Sequence, residues 1–349
     1  MDGFEDTSCL VVGGAGFVGS NLCRALLARG ADKVVAVDNL LSAEAENLPG
    51  GAKLIKGSIT DDKVLAKIAD EYDYVFHLAT YHGNQSSMHD PLADHENNTY
   101  TTLKLCEHIK RFKNVKKVVY SSAGCTVAEK TFDQARATQE DAPVSLWLDS
   151  PYQISKIIGE LYFNYYFSRH GLPAVKARFQ NVYGPGEVLG AGKWRGTPAT
   201  VWRNVTPTFI YRAIKGMPLR LENGGIATRD FIFVEDIVEG LLACALSGEP
   251  GEVYNLASGR ETSIRELAET IVDLAGTNAP LKVAPARAWD CSGKRFGSTQ
   301  KAEKELGFSA KVPLRDGLAR TIAWTRDNLS FIESCMARHK KYMPGGDFS

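Results

Sequence analysis

The chain has 349 residues, which allows two lobes of roughly 150 residues each and a substantial core. Lys+Arg and Asp+Glu are equal at 41 each, so the balance offers no field to hold a nucleic acid or a membrane surface, and no apolar run of about 18 residues would span a bilayer. The odd, scattered cysteines (Cys9, Cys23, Cys106, Cys125, Cys244, Cys291 and Cys335) form no CxxC pair, which argues against a disulfide frame or metal site and predicts reduced thiols in a cytoplasmic setting.

The N-terminal MDGFEDTSCL is acidic and passes straight into a strand, without the basic start and apolar centre of a secretory signal. From Ser8, short β-branched runs alternate with helix-length amphipathic stretches, the pattern of a parallel sheet covered on both faces. CLVVGG, KVVAVD, AKLIKG, DYVFHLA, KKVVYSS and PAVKARF read as its strands. The expected class is α/β, a doubly wound parallel sheet whose ligand crevice lies outside the carboxyl ends of the strands. After about Gly184 the loops lengthen and become rich in Gly, Pro and Trp, with helices expected near 206–216, 236–247, 263–275 and 314–327. This divides the chain into the sheet domain at 1–180, a smaller lobe made mainly of 181–330, and a helix end with a loose tail at 331–349.

Gly13, Gly16 and Gly19 stand in GxxGxxG spacing between the first strand and the first helix. The turn must be tight, a phosphate must approach bare backbone, and the helix must offer its first N–H groups to an anion. The next strand ends at Asp38, 19 residues after Gly19, where an acid accepts both hydroxyls of an adenosine ribose and repels a 2′-phosphate. NAD is therefore favoured over NADP. The bland alternative is a tight turn that serves packing alone.

SPYQISKIIGELYFNYYF reads as a helix beginning near Pro151, with Tyr152 and Lys156 one turn apart on one face. A free phenol ionises near pH 10; an adjacent ammonium and the positive nicotinamide ring of an oxidised cofactor would favour its phenolate, making a base near neutral pH. The strand end VVYSSAGC places Ser121 and Ser122 on the crevice side, as hydroxyls to hold a substrate oxygen. Taken alone, the Tyr–Lys pair is a solvated pair on a helix. The glycine fingerprint upstream gives it chemistry.

GGAGFVG, VFHLA, YSSAG, YQISK, RFQNVYGPG and RDFIFVEDI together resemble the extended short-chain dehydrogenase/reductase family, and within it the nucleotide-sugar epimerases of bacterial surface-polysaccharide (O-antigen) pathways. The likeness runs from about Ser8 to Asp327. It implies a Rossmann-type sheet, NAD as cofactor and a nucleotide-diphosphate sugar as substrate. It implies that Ser122 works with Tyr152 and Lys156, both of which also touch the cofactor. Along the cofactor it places Gly13, Gly16, Phe17, Val18, Gly19, Asp38, Asn39, Ser58, Ile59, His77, Leu78, Ala79 and Asn98. Ser58-Ile59 stands where relatives often carry Asp-Ile, which predicts a weaker or rearranged contact to adenine. On the substrate it places Ser87, Asn181, Asn204, Arg229, Arg287 and Asp290. Members often dimerise through a four-helix bundle, and the helices expected at 91–112 and 150–170 match it, so a homodimer is implied.

Among the family's reactions, 4-epimerisation by hydride removal and return needs only Tyr152 for proton transfer. Related dehydratases follow the strand-end hydroxyl with Asp-Glu and decarboxylases carry a Glu there; here Ala123 and Gly124 follow Ser122, and neither does acid–base work. Cys125 keeps a second reaction open, because a thiol near a C4 ketone could exchange a C3 or C5 proton; the alternative is a small buried thiol. This ranks 3- or 5-epimerisation second and 4-keto reduction third, with an NAD-sensing regulator as the non-enzyme alternative. GPGEVLGAGKWRGTPATVWRNV is longer and more basic than the family's usual connection. Its Lys193, Arg195 and Arg203, with Lys294 and Arg295 of GKRFG, either face an acidic or N-acetylated sugar or lie on a solvated loop.

Overall fold

The computed structural model describes residues 3–128, 131–287 and 293–343. All six expected strands form, and a seventh joins them. The sheet order is Val253–Leu256, Ala174–Phe179, Lys117–Ala123, Tyr74–His77, Ser8–Val12, Lys33–Asp38 and Lys53–Lys56. Every neighbouring pair is parallel, with Val12 opposite Val37 on one side and His77 on the other.

Strand alternation sorts the core onto two faces. Cys9 and Val11 pack with Leu22 and Leu26 of the helix Phe17–Ala28 and with Ile237 and Leu241 of the helix Val234–Ser247. Leu10 and Val12 pack with Leu105 and Ile109 of the helix Thr101–Ile109 and with Phe163 and Tyr166 of the helix Pro151–His170. Burial on both faces is why these strands read as unbroken apolar runs. The fold is a Rossmann-type α/β sheet.

The edge strand Val253–Leu256 comes from beyond residue 180, so the sheet is not confined to the first half of the chain. VYNL is too short to show a period of its own, and its pairing partner Ala174–Phe179 lies far upstream. In the smaller lobe, Phe209, Ile210, Leu219, Leu267, Ile271 and Leu318 form a separate core. It joins the helices Val205–Ile214, Ile264–Ala275 and Leu314–Asp327 to a sheet of Glu261–Ser263, Thr228–Phe233 and Asn181–Tyr183.

Residues 331–343 depart from the expected tail. The helix Leu329–Ala337 buries Ile332, Cys335 and Met336, with Met343 beyond it, against Val188, Leu189, Ala191 and Val201. His339 Nε2 bonds Gly190 O at 2.9 Å, and Tyr342 stacks on Trp194 with ring centres 5.1 Å apart. The 186–204 connection is therefore a packed insertion with its own small core.

Two helices frame the crevice. Pro151–His170 begins on a Ser150 cap and ends at Gly171 with φ 67°, and a Cβ on Gly159 would lie 2.1 Å from the Tyr120 hydroxyl. This close approach brings Lys156 against the strand Lys117–Ala123. The helix expected over 91–112 is interrupted: Pro91–Asp94 and Thr101–Ile109 flank a π-helical stretch, His95–Tyr100.

Candidate active site

A cavity of about 360 Å³ runs along the carboxyl ends of the strands, between the sheet and the smaller lobe. At one end the chain leaves Ser8–Val12 through Gly13 at φ 87°, where a Cβ would lie 2.6 Å from Ala79 N. A Cβ on Gly19 would lie 2.1 Å from Gly13 O. Neither position admits a side chain. The helix Phe17–Ala28 starts at Gly16 with no side chain capping its first N–H groups, which remain for an anion in the cavity.

Asp38 accepts from Ala15 N at 3.0 Å through one oxygen and from Leu40 N at 2.8 Å through the other. Burial pushes its carboxyl up, and these N–H groups pull it back. Each oxygen keeps a lone pair for a ribose hydroxyl. Gly13, Gly16, Phe17, Val18, Gly19, Asp38, Asn39, Ser58, Ile59, Leu78 and Ala79 all line this cavity. A bare glycine cradle, free helical N–H groups and a carboxylate one strand away fit a dinucleotide.

Three cofactor-side expectations change in detail. Asn98 lies behind the wall: its Oδ1 accepts from Tyr81 N at 2.6 Å, and its Nδ2 donates to Asp94 at 2.7 Å and Ser155 at 3.1 Å. It is not among the residues that line the cavity and braces those that do. His77 is fully buried under the sheet end, bonded to Thr102 Oγ1 at 2.9 Å, and burial followed by the charge of Lys156 pushes it down to about 3. Ser58 Oγ pairs with Thr60 Oγ1 at 2.8 Å, so its hydroxyl is turned to its own loop.

At the other end Tyr152 and Lys156 face the cavity. Lys156 Nζ donates to Ser121 O at 2.8 Å and lies 5.9 Å from the Tyr152 ring centre. Burial pushes this ammonium down to about 8, while Asp94 and Cys125 pull it up. Burial also pushes the Tyr152 phenol well up, with Cys125 and Asp94 adding to it. Without a cofactor the protein thus favours a neutral phenol, and the expected phenolate calls for the positive nicotinamide ring as well as Lys156.

Ser122 lines the cavity but gives its hydrogen to Glu160 Oε1 at 2.5 Å. Glu160 forms a buried two-pronged pair with Arg178, both bonds 2.8 Å. With its proton committed to a carboxylate, Ser122 offers the cavity lone pairs only. Ser121 Oγ similarly donates to His77 O at 3.1 Å. Cys125, half-buried in the wall, is close enough to both Tyr152 and Lys156 to shift them.

Of the expected substrate contacts, Asn181 and Asn204 reach the cavity. Ser87 does not, because it is buried with its hydroxyl donated to Asn84 O at 2.9 Å. Arg229 is likewise buried, donating to Thr228 O and Gly293 O at 2.6 Å each. Arg287 sits 3.4 Å from Glu222, away from the cavity wall. Asp290 lies outside the described residues. Arg195 and Arg203 are not on a solvated loop: Arg195 is buried against the Tyr81 ring, and Arg203 lines the cavity at φ 51°. Lys193 is exposed and Arg295 lines the cavity. Among the wall residues that sequence reasoning missed are His82, Asn84, Gln180 and Glu187. The only signal for them is position: each flanks a strand end or a recognised motif.

An enzyme that handles a dinucleotide at one end of a crevice and a proton at the other is the class this geometry defines. The chain belongs to the NAD dependent epimerase/dehydratase family, whose sequence model matches residues 9–257. It is similar to a UDP-glucose 4-epimerase of Mycolicibacterium smegmatis, 32% identical over 324 residues that cover 91% of this chain and 98% of that protein. Among solved structures it is similar to the Bordetella bronchiseptica enzyme WbmF in complex with NAD+ and UDP, at 60% identity and TM-score 0.88, covering 98% of each chain. DesIV of Streptomyces venezuelae, a dTDP-glucose 4,6-dehydratase with NAD and TYD bound, is 27% identical with TM-score 0.83, covering 94% of this chain and 99% of that one.

Proposed function

We propose that the protein is an NAD-dependent nucleotide-sugar 4-epimerase, acting on a UDP-sugar, N-acetylated or uronic, in surface-polysaccharide (O-antigen) biosynthesis as a cytoplasmic homodimer. The UDP bound by WbmF and the name of the mycobacterial relative support the nucleotide. The observation that carries the choice of reaction is at Gly124. Gly124 and Ala123 before it stand where dehydration requires an acid and a base after the strand-end serine, and neither carries one.

Bound NAD supplies a positive ring and the hydride acceptor and donor. Gly13, Gly16, Gly19 and Asp38 hold it by bare backbone, helical N–H groups and a carboxylate. Tyr152 takes the proton from the sugar's C4 hydroxyl as the ketone forms and returns it from the same oxygen after the sugar has turned. Lys156, fixed by Ser121 O at 2.8 Å, keeps a positive charge beside the phenol. Ser122, whose hydrogen goes to Glu160, has none to give a C4 ketone, so it does not hold the keto-sugar against rotation.

Tyr152→Phe tests the assignment of the base. Turnover is expected to fall by about a thousandfold, within the usual range for losing a proton-transfer group, while NAD binding persists. An unchanged rate would remove Tyr152 from this role; loss of NAD binding would show a structural defect. Cys125 favours a second reading, 3- or 5-epimerisation, because its thiol shares the wall with Tyr152 and Lys156. Cys125→Ser distinguishes the two, since direct C4 inversion survives it.

A further inference from the structure

The packed 186–204 insertion carries into the cavity wall a group with no part in the proton transfer above. Asn204 Nδ2 donates to Glu187 Oε1 at 2.6 Å, and Asn204 Oδ1 meets His82 Nε2 at 3.0 Å. All three residues line the cavity, and the His82 ring faces the Tyr152 ring edge-on with centres 6.1 Å apart. Glu187 is 5% exposed, and its Oε2 has no partner among the described residues. Asn204 follows Arg203, a non-glycine residue held at φ 51°, a strain that persists where surroundings over-determine a site.

The chain of bonds has a fixed direction. Burial pushes Glu187 up to about 7 against the pull of Arg203 and Asn204. Above that pH it is a carboxylate that only accepts, so Asn204 gives its N–H to Glu187 and keeps its oxygen for His82. An amide oxygen only accepts, so His82 carries its proton on Nε2. Burial, with the charges of Arg195, Arg203 and Lys156, pushes His82 down to about 4 against the lift from Asn204, so the ring is neutral. Nδ1 is then a bare lone pair. No described residue donates to it, and it is not among the sealed polar atoms, so it opens to the cavity.

We propose that His82 reads the substrate: its Nδ1, fixed as an acceptor by Asn204 and Glu187, takes a hydrogen bond from a donor on the sugar, a hydroxyl or an amide N–H. The inference rests on the nucleotide-sugar reading and adds the residue that recognises the sugar. A phosphate is disfavoured there, because it would meet a lone pair backed by a buried carboxylate.

Calorimetric binding of UDP, UDP-glucose and UDP-N-acetylglucosamine to the NADH-loaded enzyme, which cannot accept a hydride, tests it. His82→Gln still reaches Asn204 from the Nε2 position but has no acceptor at Nδ1; His82→Asn places an oxygen there. His82→Gln is expected to weaken the sugar nucleotides about tenfold, the scale of one hydrogen bond lost in a closed site, and to leave UDP unchanged. His82→Asn is expected to restore most of that loss. Weakening of both sugars assigns the donor to a hydroxyl, and weakening of UDP-N-acetylglucosamine alone assigns it to the amide. Equal weakening of UDP and its sugars, no change in any, or no recovery in His82→Asn overturns the proposal. Failure of the wild type to bind UDP overturns the nucleotide-sugar reading itself.

Discussion

The reacting residues sit within one turn of helix and one strand end, yet their protonation is set by burial more than by spacing. Lys156 shows this most directly. Its ammonium, pushed down to about 8 by burial, is present below that pH and lost above it. Turnover is therefore expected to fall as pH rises through about 8, because the cation that supports the Tyr152 phenolate disappears. Lys156→Arg stays charged, so its slower turnover should lack this alkaline limb in a kcat profile from pH 6 to 10; an identical limb would assign the titration elsewhere. Tyr152, Lys156 and Ser122 were legible because i,i+4 spacing and a strand end are local features. The partner that takes the Ser122 proton was not, since Glu160 pairs with Arg178 from a different strand.

The elements that shape the cavity fall into two kinds. Helices such as Ile264–Ala275 and Leu314–Asp327 emerged where their apolar period placed them, because each buries a continuous face. The 186–204 insertion has no such period. It is held by close backbone contacts: Gly192 N donates to Glu44 Oε1 at 2.7 Å, and Lys193 N donates to Leu41 O at 3.0 Å. Its glycines and the polar letters of the C-terminal segment read as loop and tail, and only the packing of Met336 and Met343 on Val188 and Leu189 reveals otherwise. Gly192 has φ 84°, and a Cβ on it would lie 2.3 Å from Leu41 O. Gly192→Ala is expected to cost about 2 kcal/mol of stability in urea unfolding, from strain and overlap together. It should also weaken UDP-sugar binding more than NAD binding, because Glu187 and Arg203 ride on this segment; a stable variant with normal substrate affinity would show that the insertion is not rigid.

Across the whole molecule, the dinucleotide end was legible almost residue by residue, because glycines and an acid in register demand one geometry. Of the contacts expected at the substrate end only Asn181 and Asn204 line the cavity, and the Asn204 amide is itself bonded to Glu187 and His82, while Ser87, Arg229 and Arg287 turn to neighbouring protein atoms. The seventh strand was missed because its pairing is long-range. On the outside, Leu92, Tyr100, Ile154, Leu161 and Tyr165 are 40–81% exposed along the two helical segments expected to pair between subunits. A homodimer of the 38.1 kDa chain would cover them. Light scattering should give twice the chain mass for the wild type and the monomer mass for Leu161→Glu; a monomeric wild type would rule this interface out.

The reaction itself is read by proton NMR of the wild type with UDP-glucose and UDP-N-acetylglucosamine in deuterated water. Inversion at C4 with no deuterium entering the ring is the outcome expected of hydride removal and return with Tyr152 moving only the hydroxyl proton. Deuterium at C3 or C5 would contradict it and move the chemistry to Cys125.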